Sequence, residues 1–297
     1  VTKGDQNYTR PKDGEAFYHL GVALRAQHRY VEAYDAFYKA AWSQGWKASS
    51  YYKLAELCCL KNEYSPALDF VDCSLSMNAL SLRAKNLKAA LMRKTGRMDE
   101  AAAIVAEIVL ADPLNFWALN ERYLQTKEWE GADKAAERLS DLENTLRDEV
   151  QNYLELAADY GNCGMWDEAI DVLSRIECLE SKFPMVYYYL GYYLGKGGDE
   201  DKAITYYKKA SQMPSDYCFP FRWESRDVLE QALKENPGDP IAFYYLGNLL
   251  FDHQPEEAIK RWEKSVALDS GFALAHRNLG LAYARIKNDV SLAIKSL

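Results

Sequence analysis

Six cysteines and four histidines are the side chains in this sequence that could bind a metal or act as nucleophile and base. The cysteines form no C-x-x-C pair and are too sparse for a disulfide framework, and the histidines belong to no H-E-x-x-H motif. No G-x-S-x-G sequence marks a nucleophilic serine. We therefore predict no metal site, no cofactor and no catalytic residue, and we expect that the chain is not an enzyme. The residues concerned are Cys58, Cys59, Cys73, Cys163, Cys178, Cys218, His19, His28, His253 and His276.

Three further patterns resemble sites but have simpler structural explanations. The adjacent Cys58 and Cys59 could be redox-active, yet free cysteine generally packs as a small hydrophobic residue. The glycine-rich stretch at 195–198 lacks the preceding strand and the spacing of a phosphate-binding loop, so it indicates a turn between helices. Glu256 and Glu257 lie at a predicted helix start, where negative charge complements the helix dipole.

Composition and charge exclude other classes of function. The net charge of −8 provides no general attraction to phosphate, so we predict no nucleic-acid partner. No segment approaches the roughly 20 apolar residues of a membrane span, and the first residues contain no signal-peptide stretch. We expect a cytoplasmic protein with no membrane partner. Because the sequence lacks an initial Met and stops at Leu297 inside a predicted helix, we also expect a fragment of a longer protein.

A repeat with a period of 34 residues forms the helices on which these side chains lie. Each unit has large apolar residues at helical spacing and a small residue where its two helices cross, which lets the backbones approach closely. A single hairpin cannot bury its own apolar face, so neighbouring hairpins must cover it. The small residues at the crossings are Gly21, Ala55, Ala89, Ala157, Gly191, Gly247 and Gly280.

This register divides the chain into four parts. We predict an N-terminal extension at 1–13, six helical hairpins at 14–215, an irregular aromatic joint with one helix at 216–239, and two further hairpins at 240–297, the last truncated. The unit that begins at Phe116 is degenerate in its first helix. The predicted fold class is all-α: a right-handed α-solenoid, or superhelix, of about eight hairpins with one irregular half-unit.

The spacing of these residues from 14 to 297 resembles that of the tetratricopeptide repeat family. The segments AYDAFYKAAWSQGWKASSYYKLAEL, LKAALMRKTGR and CFPFRWESRDVLEQALKENPGDPIAFYYLGNLLF are similar to the C-terminal repeat half of uncharacterised bacterial proteins that carry an N-terminal β-sandwich region. The family resemblance implies a scaffold that binds a protein or peptide partner, and it supplies no catalytic residue. The narrower resemblance implies an alternative function, as the non-catalytic scaffold or oligomerisation arm of a larger carbohydrate-active enzyme. A third alternative is self-association through the terminal helices.

Tetratricopeptide arrays commonly bind peptides in a concave groove, which first-helix residues one and five places beyond the large apolar anchor should line. Some arrays grip a chaperone's C-terminal carboxylate with a Lys and an Asn, then an Asn, then a Lys and an Arg. The matching places here hold Tyr18 and Val22, then Lys53, then Arg83 and Leu87, so only part of the last pair survives and that function is disfavoured. The tyrosines among the predicted residues could form a contact surface or simply pack against neighbouring helices. The predicted partner-binding residues are Tyr18, Tyr52, Asn86, Asn120, Tyr188, Tyr192, Tyr244 and Asn248.

The irregular joint has two interpretations. Phe219, Phe221 and Trp223 flank Arg222 and could form a recognition loop, because departures from a repeat are frequently functional. They could also form a hydrophobic plug that seals the gap left by a missing first helix. We favour the plug.

Overall fold

The computed structural model describes residues 13–179 and 182–297, which contain helices and no strand. The N-terminal extension predicted at 1–13 lies outside the described residues except for Asp13. The helices predicted as pairs are present as separate α-helices joined by short turns, with one additional helix after the joint. The described residues form 17 α-helices, the number that eight hairpins and one single helix require.

The first nine helices cover the degenerate fourth unit as well as the regular ones. A 3₁₀-helix at Gln44–Trp46 lies between the second and third. The nine are α1 (Glu15–Ala26), α2 (Tyr30–Ala40), α3 (Lys47–Cys59), α4 (Tyr64–Met77), α5 (Leu82–Lys94), α6 (Met98–Ala111), α7 (Phe116–Trp129), α8 (Ala132–Leu146) and α9 (Val150–Asn162).

The remaining eight helices include the single helix that follows the joint. A π-helix at Tyr283–Lys287 continues the penultimate one. The eight are α10 (Trp166–Cys178), α11 (Pro184–Lys196), α12 (Glu200–Ala210), α13 (Glu224–Glu235), α14 (Pro240–Leu250), α15 (Pro255–Leu268), α16 (Ala273–Ala282) and α17 (Val290–Ser296).

The chain divides into two compact units. Unit 1 comprises the residues through Glu149 together with Asp159–Met165, and unit 2 comprises Val150–Ala158 and Trp166–Leu297, so α9 contributes to both. In unit 1, α1 packs on α2, α3 on α4, α5 on α6 and α7 on α8. In unit 2, α11 packs on α12, α14 on α15 and α16 on α17, while α13 contacts α11 and α14.

The helices of a hairpin cross where the sequence places a small residue. A Cβ atom added at Gly191 would lie 2.6 Å from the ring of Tyr207, and one added at Gly247 would lie 2.4 Å from Nε1 of Trp262. Such distances are shorter than any real contact, so only glycine permits these crossings. The predicted fold class, an all-α solenoid of helical hairpins, is confirmed.

Short polar side chains begin several helices, and glycines end others. Gly96, Gly164 and Gly198 adopt positive φ angles of 76°, 68° and 96° just after helices, a conformation that side chains with a Cβ rarely adopt. Prolines occupy the first turn of α11, α14 and α15, where the missing N–H costs nothing. Side chains that accept hydrogen bonds from the first turn of a helix are those of Ser81, Asn115, Asp199, Asp239 and Asp289.

The aromatic joint does not bury its aromatic side chains. Phe219 and Phe221 are 67% and 64% exposed and Trp223 is more than half exposed, whereas Cys218, which precedes them, is buried. The ring of Trp223 stacks on His253 at a centroid distance of 5.9 Å. The hydrophobic plug that we favoured is therefore wrong for these three rings, because their side chains are largely exposed to solvent.

Candidate functional site

The eight predicted partner-binding residues all lie on first helices, and we call the surface at these positions the first-helix face. Four lie in unit 1 and four in unit 2. Tyr18, Tyr192 and Asn248 are partly exposed. The buried ones are Tyr52, Asn86, Asn120, Tyr188 and Tyr244.

In unit 1, Tyr52 links α3 to α5. Its hydroxyl accepts a hydrogen bond of 3.1 Å from Nε of Arg83, and the guanidinium lies 5.1 Å from the centre of the same ring. Burial and the negative charge of Glu56 raise the pKa of Tyr52 well above its ordinary value, so the phenol stays protonated. The aromatic ring is thereby held between two successive first helices.

The two asparagines of unit 1 make the corresponding links further along. Asn86 on α5 donates a hydrogen bond of 2.9 Å to Asn115, the residue that begins α7. Asn120 on α7 donates one of 2.8 Å to the hydroxyl of Tyr160, which donates in turn to Glu121 at 2.8 Å. Each buried amide thus joins one first helix to the next.

Unit 2 repeats the arrangement with different residues. Tyr188 on α11 donates a hydrogen bond of 2.7 Å to Asp239, which begins α14. Oδ1 of Asn248 on α14 accepts a hydrogen bond of 2.9 Å from Asn278 on α16. Tyr244 makes a ring contact of 4.9 Å with Phe272, just before α16.

Six of the eight predicted residues therefore connect successive first helices within a unit. A polar side chain in this position can satisfy a buried partner and fix the spacing between neighbouring hairpins. We call these contacts the inter-hairpin links. The role of the eight residues in binding a partner stays a prediction.

A buried ion cluster on the first-helix face of unit 1 was not predicted. The carboxylate of Glu56 is completely buried, and it binds Nζ of Lys53 at 2.8 Å, Arg25, and Arg83 at 3.7 Å. Burial raises the pKa of Glu56, but the charges of Arg25, Lys53 and Arg83 outweigh it and bring the pKa down to about 2. A glutamate one turn after Tyr52, with a lysine three residues before it, was the available sequence signal.

The same cluster joins the end of α9 to α1. Arg25 donates to the backbone carbonyl of Asn162 at 2.9 Å, and Arg83 lies 3.9 Å from Asp159. Three cationic side chains and two carboxylates thus lie together at this end of α9. The chain's own Glu56 binds Arg83, the residue that matched part of a carboxylate clamp, and it also binds Lys53.

A second buried pair stabilises the middle of unit 1. Nε of Arg93 on α5 donates to Glu121 on α7 at 2.8 Å, and both side chains are buried. Because Glu121 also accepts from Tyr160, its charge is satisfied from two directions.

Residues 13–179 and 182–297 contain neither a metal-binding group of side chains nor a membrane-spanning helix. In this part of the chain, no three His, Cys, Asp or Glu side chains lie close enough together to hold a metal ion. No helix described by the structure has the length and apolarity required to cross a membrane.

Residues 185–212, which span α11 and α12, match the family model of the tetratricopeptide repeat. Among solved structures, a tetratricopeptide repeat protein from Parabacteroides merdae is similar at 13% identity and a TM-score of 0.44, over 92% of this chain and 99% of that one. Yeast Tom70 is similar at 18% identity and a TM-score of 0.46, over 98% of this chain and 69% of that one. MamA is similar at 22% identity and a TM-score of 0.25, over 70% of this chain and 89% of that one.

Proposed function

We propose that this tetratricopeptide repeat chain is a protein-interaction scaffold that binds a peptide segment of its partner on the first-helix face. A partly exposed surface in unit 1 supports the proposal most. There the rings of Tyr18 and Trp46 lie 4.8 Å apart, both partly exposed, and the side chain of Arg83 is 51% exposed. Burial and the charge of Glu56 raise the pKa of Tyr18 and the charges of Arg83 and Arg25 oppose them, so Tyr18 lies within the electrostatic reach of the ion cluster.

The chemistry of this surface fits a peptide that carries both an apolar and an acidic residue. Aromatic rings bury a large area at a small cost in side-chain entropy. The half-exposed guanidinium of Arg83 can attract a carboxylate locally, although the chain as a whole has a net charge of −8. The acidic residue would therefore bind beside Arg83, and the apolar residue against the two rings.

The test compares capture of proteins from the source cell by the wild type and by the double variant Tyr18→Ala, Arg83→Gln. We expect the variant to lose the captured partner in quantitative mass spectrometry while circular dichroism keeps its helical signal. The matched control is Tyr38→Ala with Arg97→Gln, which alters one exposed tyrosine and one exposed arginine away from the first helices. Equal capture by the two double variants would contradict the proposal.

In unit 2, the corresponding substitutions are Tyr192→Ala and Asn248→Ala, because these two side chains are partly exposed. Substituting Tyr188 or Tyr244 would remove buried packing, so a loss of binding there would not separate contact from stability. If the partner contacts both units, the double variant in unit 1 and the double variant in unit 2 should each lower the affinity for the partner.

The other expectations stay predictions. The role as an arm of a carbohydrate-active enzyme depends on a β-sandwich region, and residues 13–179 and 182–297 contain no strand. Self-association through the terminal helices, cytoplasmic location and the absence of a nucleic-acid partner are likewise untested expectations. Light scattering of the chain would test the first of these.

A further inference from the structure

An open cleft in unit 1 lies away from the first-helix face. Its volume is about 650 Å³, within the range of roughly 300–1,000 Å³ that is usual for binding pockets. One wall is the outer side of α6 and the turn after it, and the other is formed by α7 and the first half of α8. The lining residues that matter most are Ala106, Val109, Arg122, Gln125, Trp129 and Arg138.

The degenerate fourth unit explains why a cleft opens here. In the 34-residue register, Arg122 occupies the place of the buried Leu156 and Leu190, and Tyr123 occupies the crossing place held by Gly191. A tyrosine at a crossing cannot allow the approach that glycine allows. Leu139, the residue on α8 opposite this crossing, is accordingly only partly buried, whereas its counterparts Val71, Val105 and Leu173 are buried.

Residues on α7 separate this cleft from the first-helix face. Arg122, Gln125, Thr126 and Trp129 line the cleft and follow the i, i+3, i+4, i+7 spacing of one helix face. Asn120, the predicted groove residue on the same helix, points instead to Tyr160. The cleft is therefore a separate surface from the one in the proposed function.

The wall formed by α6 and the turn after it is apolar and consists mostly of short side chains. Ala102, Ala106, Val109 and Pro113 recur at intervals of three or four residues along it, and short side chains allow another helix to lie close. At the rim, Leu110 and Trp129 are 87% and 58% exposed. An apolar strip with exposed large residues at its edge is typical of a surface that packs against a helix of another protein.

The opposite wall carries hydrogen-bond donors that have no partner. Nε of Arg122 and Nε2 of Gln125 are both buried and make no hydrogen bond. Gln125 as a residue is only 5% exposed. Unbonded buried donors cost free energy, so an acceptor placed at this wall would be stabilising. Burial and the nearby Arg138 lower the pKa of Arg122, and Asp141 opposes them.

The charges at the cleft favour a negatively charged acceptor group on the ligand. Arg122 and Arg138 are positive, and the negative Glu130 at the rim is already bound to Lys134 at 2.8 Å. Arg138 makes a long ion pair of 3.9 Å with Asp141, whereas Arg122 makes no ion pair with any residue that the structure describes. A ligand carboxylate would complement both arginines and the amide of Gln125.

We propose that the cleft between α6, α7 and α8 binds an amphipathic helix of a partner protein, with apolar side chains on α6 and a carboxylate on Arg122 and Arg138. Residues 1–12 of the chain do not fit this description, because their charged residues are Lys3, Asp5, Arg10 and Lys12. A helix bound in this way would present anchors at i, i+3 or i+4 and i+7, the spacing of helix-in-groove recognition.

The test is a selection of helical peptides, about 15 residues long, from a displayed random library on the immobilised chain. We expect the recovered peptides to share an apolar stripe with one acidic residue. In fluorescence polarisation, the variant Ala106→Trp, which fills the cleft from its exposed wall, should bind them at least about tenfold more weakly. Arg122→Gln should weaken binding by about tenfold, and replacing the peptide's acidic residue by its amide should do the same.

The matched control is Ala103→Trp, an exposed alanine on the same helix that does not line the cleft, and it should leave the affinity unchanged. Recovery of no peptide, recovery of peptides without an acidic residue, or equal binding to both tryptophan variants would overturn the proposal. So would a wild-type dimer, seen by light scattering, that only Ala106→Trp separates, because a second copy would then occupy the cleft. Each outcome is independent of Tyr18 and Arg83, on which the proposed function rests.

Discussion

Tyr188 donates a hydrogen bond of 2.7 Å to Oδ2 of Asp239, and both side chains are fully buried in unit 2. The other oxygen of Asp239 accepts from the backbone N–H groups of Ile241 and Ala242 at 2.9 and 3.0 Å. One carboxylate therefore begins α14 and joins it to α11. Burial raises the pKa of Asp239, and the three hydrogen bonds oppose that effect.

Tyr188→Phe removes the hydroxyl and leaves the ring in place, so it isolates this bond. We expect a loss of about 1.5–3 kcal/mol in the free energy of unfolding, the usual contribution of a hydrogen bond to a charged group. Urea denaturation measures it. Tyr217→Phe is the control, because that ring is 89% exposed, and its change should stay within about 0.5 kcal/mol. A similar loss in both variants would mean that the link does not stabilise unit 2.

Glu56→Gln should destabilise unit 1 and alter its dependence on pH. Removing the carboxylate leaves Arg25, Lys53 and Arg83 without their shared partner, so we expect a loss of about 3–5 kcal/mol at pH 7. The pKa of Glu56 in the folded state is about 2, below the unfolded value. The ionised carboxylate therefore stabilises the fold above the unfolded pKa of about 4.3, and this stabilisation is lost as the pH falls towards 2.

The measurement is urea denaturation of the wild type and the variant at pH 7 and at pH 3. The difference between the two proteins should shrink at the lower pH, because the unfolded wild type then binds a proton at Glu56 while the folded carboxylate stays largely ionised. Glu32→Gln, which alters an exposed ion pair with Arg29, should have a much smaller effect at both values because solvent screens that pair. A difference that is constant with pH would contradict the ionised state assigned to Glu56.

Two glycines of α11 should respond oppositely to the same substitution. Gly191→Ala would place a Cβ atom 2.6 Å from the ring of Tyr207 and 3.0 Å from the carbonyl oxygen of Ala203, so we expect a loss of about 1–3 kcal/mol. Gly195→Ala would make only an ordinary contact of 3.6 Å with Ala203. Because alanine favours helix over glycine, this second variant should be more stable by about 0.5–1 kcal/mol. Thermal unfolding of the two variants compares the signs directly.

Mild oxidation should join Cys59 to Cys163 in unit 1. Both thiols are buried, and the hydrogen bond that the Cys163 thiol donates to Cys59, together with burial, raises the pKa of Cys163 well above its ordinary value. Next to Cys163, a Cβ atom added at Gly164 would lie 3.1 Å from Cα of Leu60, so the backbones at the ends of α9 and α3 approach closely beside the two thiols. With diamide, the two thiols lose two protons and two electrons, and the reagent is reduced to its hydrazine.

Peptide mapping without reductant should detect the cross-link in the wild type and in Cys58→Ser but not in Cys59→Ser. The reaction should accelerate at alkaline pH, because thiolate is the reactive form. A cross-link between Cys58 and Cys163 instead would show that the thiol of Cys59 does not lie against that of Cys163.

The hairpins could be predicted because their determinants are local. A glycine at each of Gly21, Gly191 and Gly247, with apolar residues at helical spacing around it, is sufficient to define a crossing and therefore a period. The positions of the first-helix residues followed from that period. Their hydrogen-bond partners could not be predicted from it, because the partner of Tyr188 is 51 residues away and that of Asn120 is 40 residues away. Nothing in a short stretch of sequence identifies either partner.

The degenerate unit illustrates the same limit. The sequence shows that Arg122 and Tyr123 break the pattern, but a broken pattern predicts only that packing changes. Whether the hairpin closes differently or leaves a cleft depends on the displacement of α8, which no single residue encodes. The prediction for the joint was wrong for a related reason. Three aromatic residues suggested burial, yet their side chains are exposed and the neighbouring Cys218 is the buried one.

The inter-hairpin links have a mechanical consequence. Each link, such as that of Tyr52 with Arg83 or Asn86 with Asn115, crosses a single junction between neighbouring hairpins. A pulling force on the ends of a unit is then resisted by one junction at a time, and release of a hairpin frees about 34 residues. At about 3.3–3.6 Å per extended residue, each release would lengthen the chain by about 110–120 Å. The protein would extend under tension as a series of equal steps, and it would absorb load without losing all of its hairpins at once.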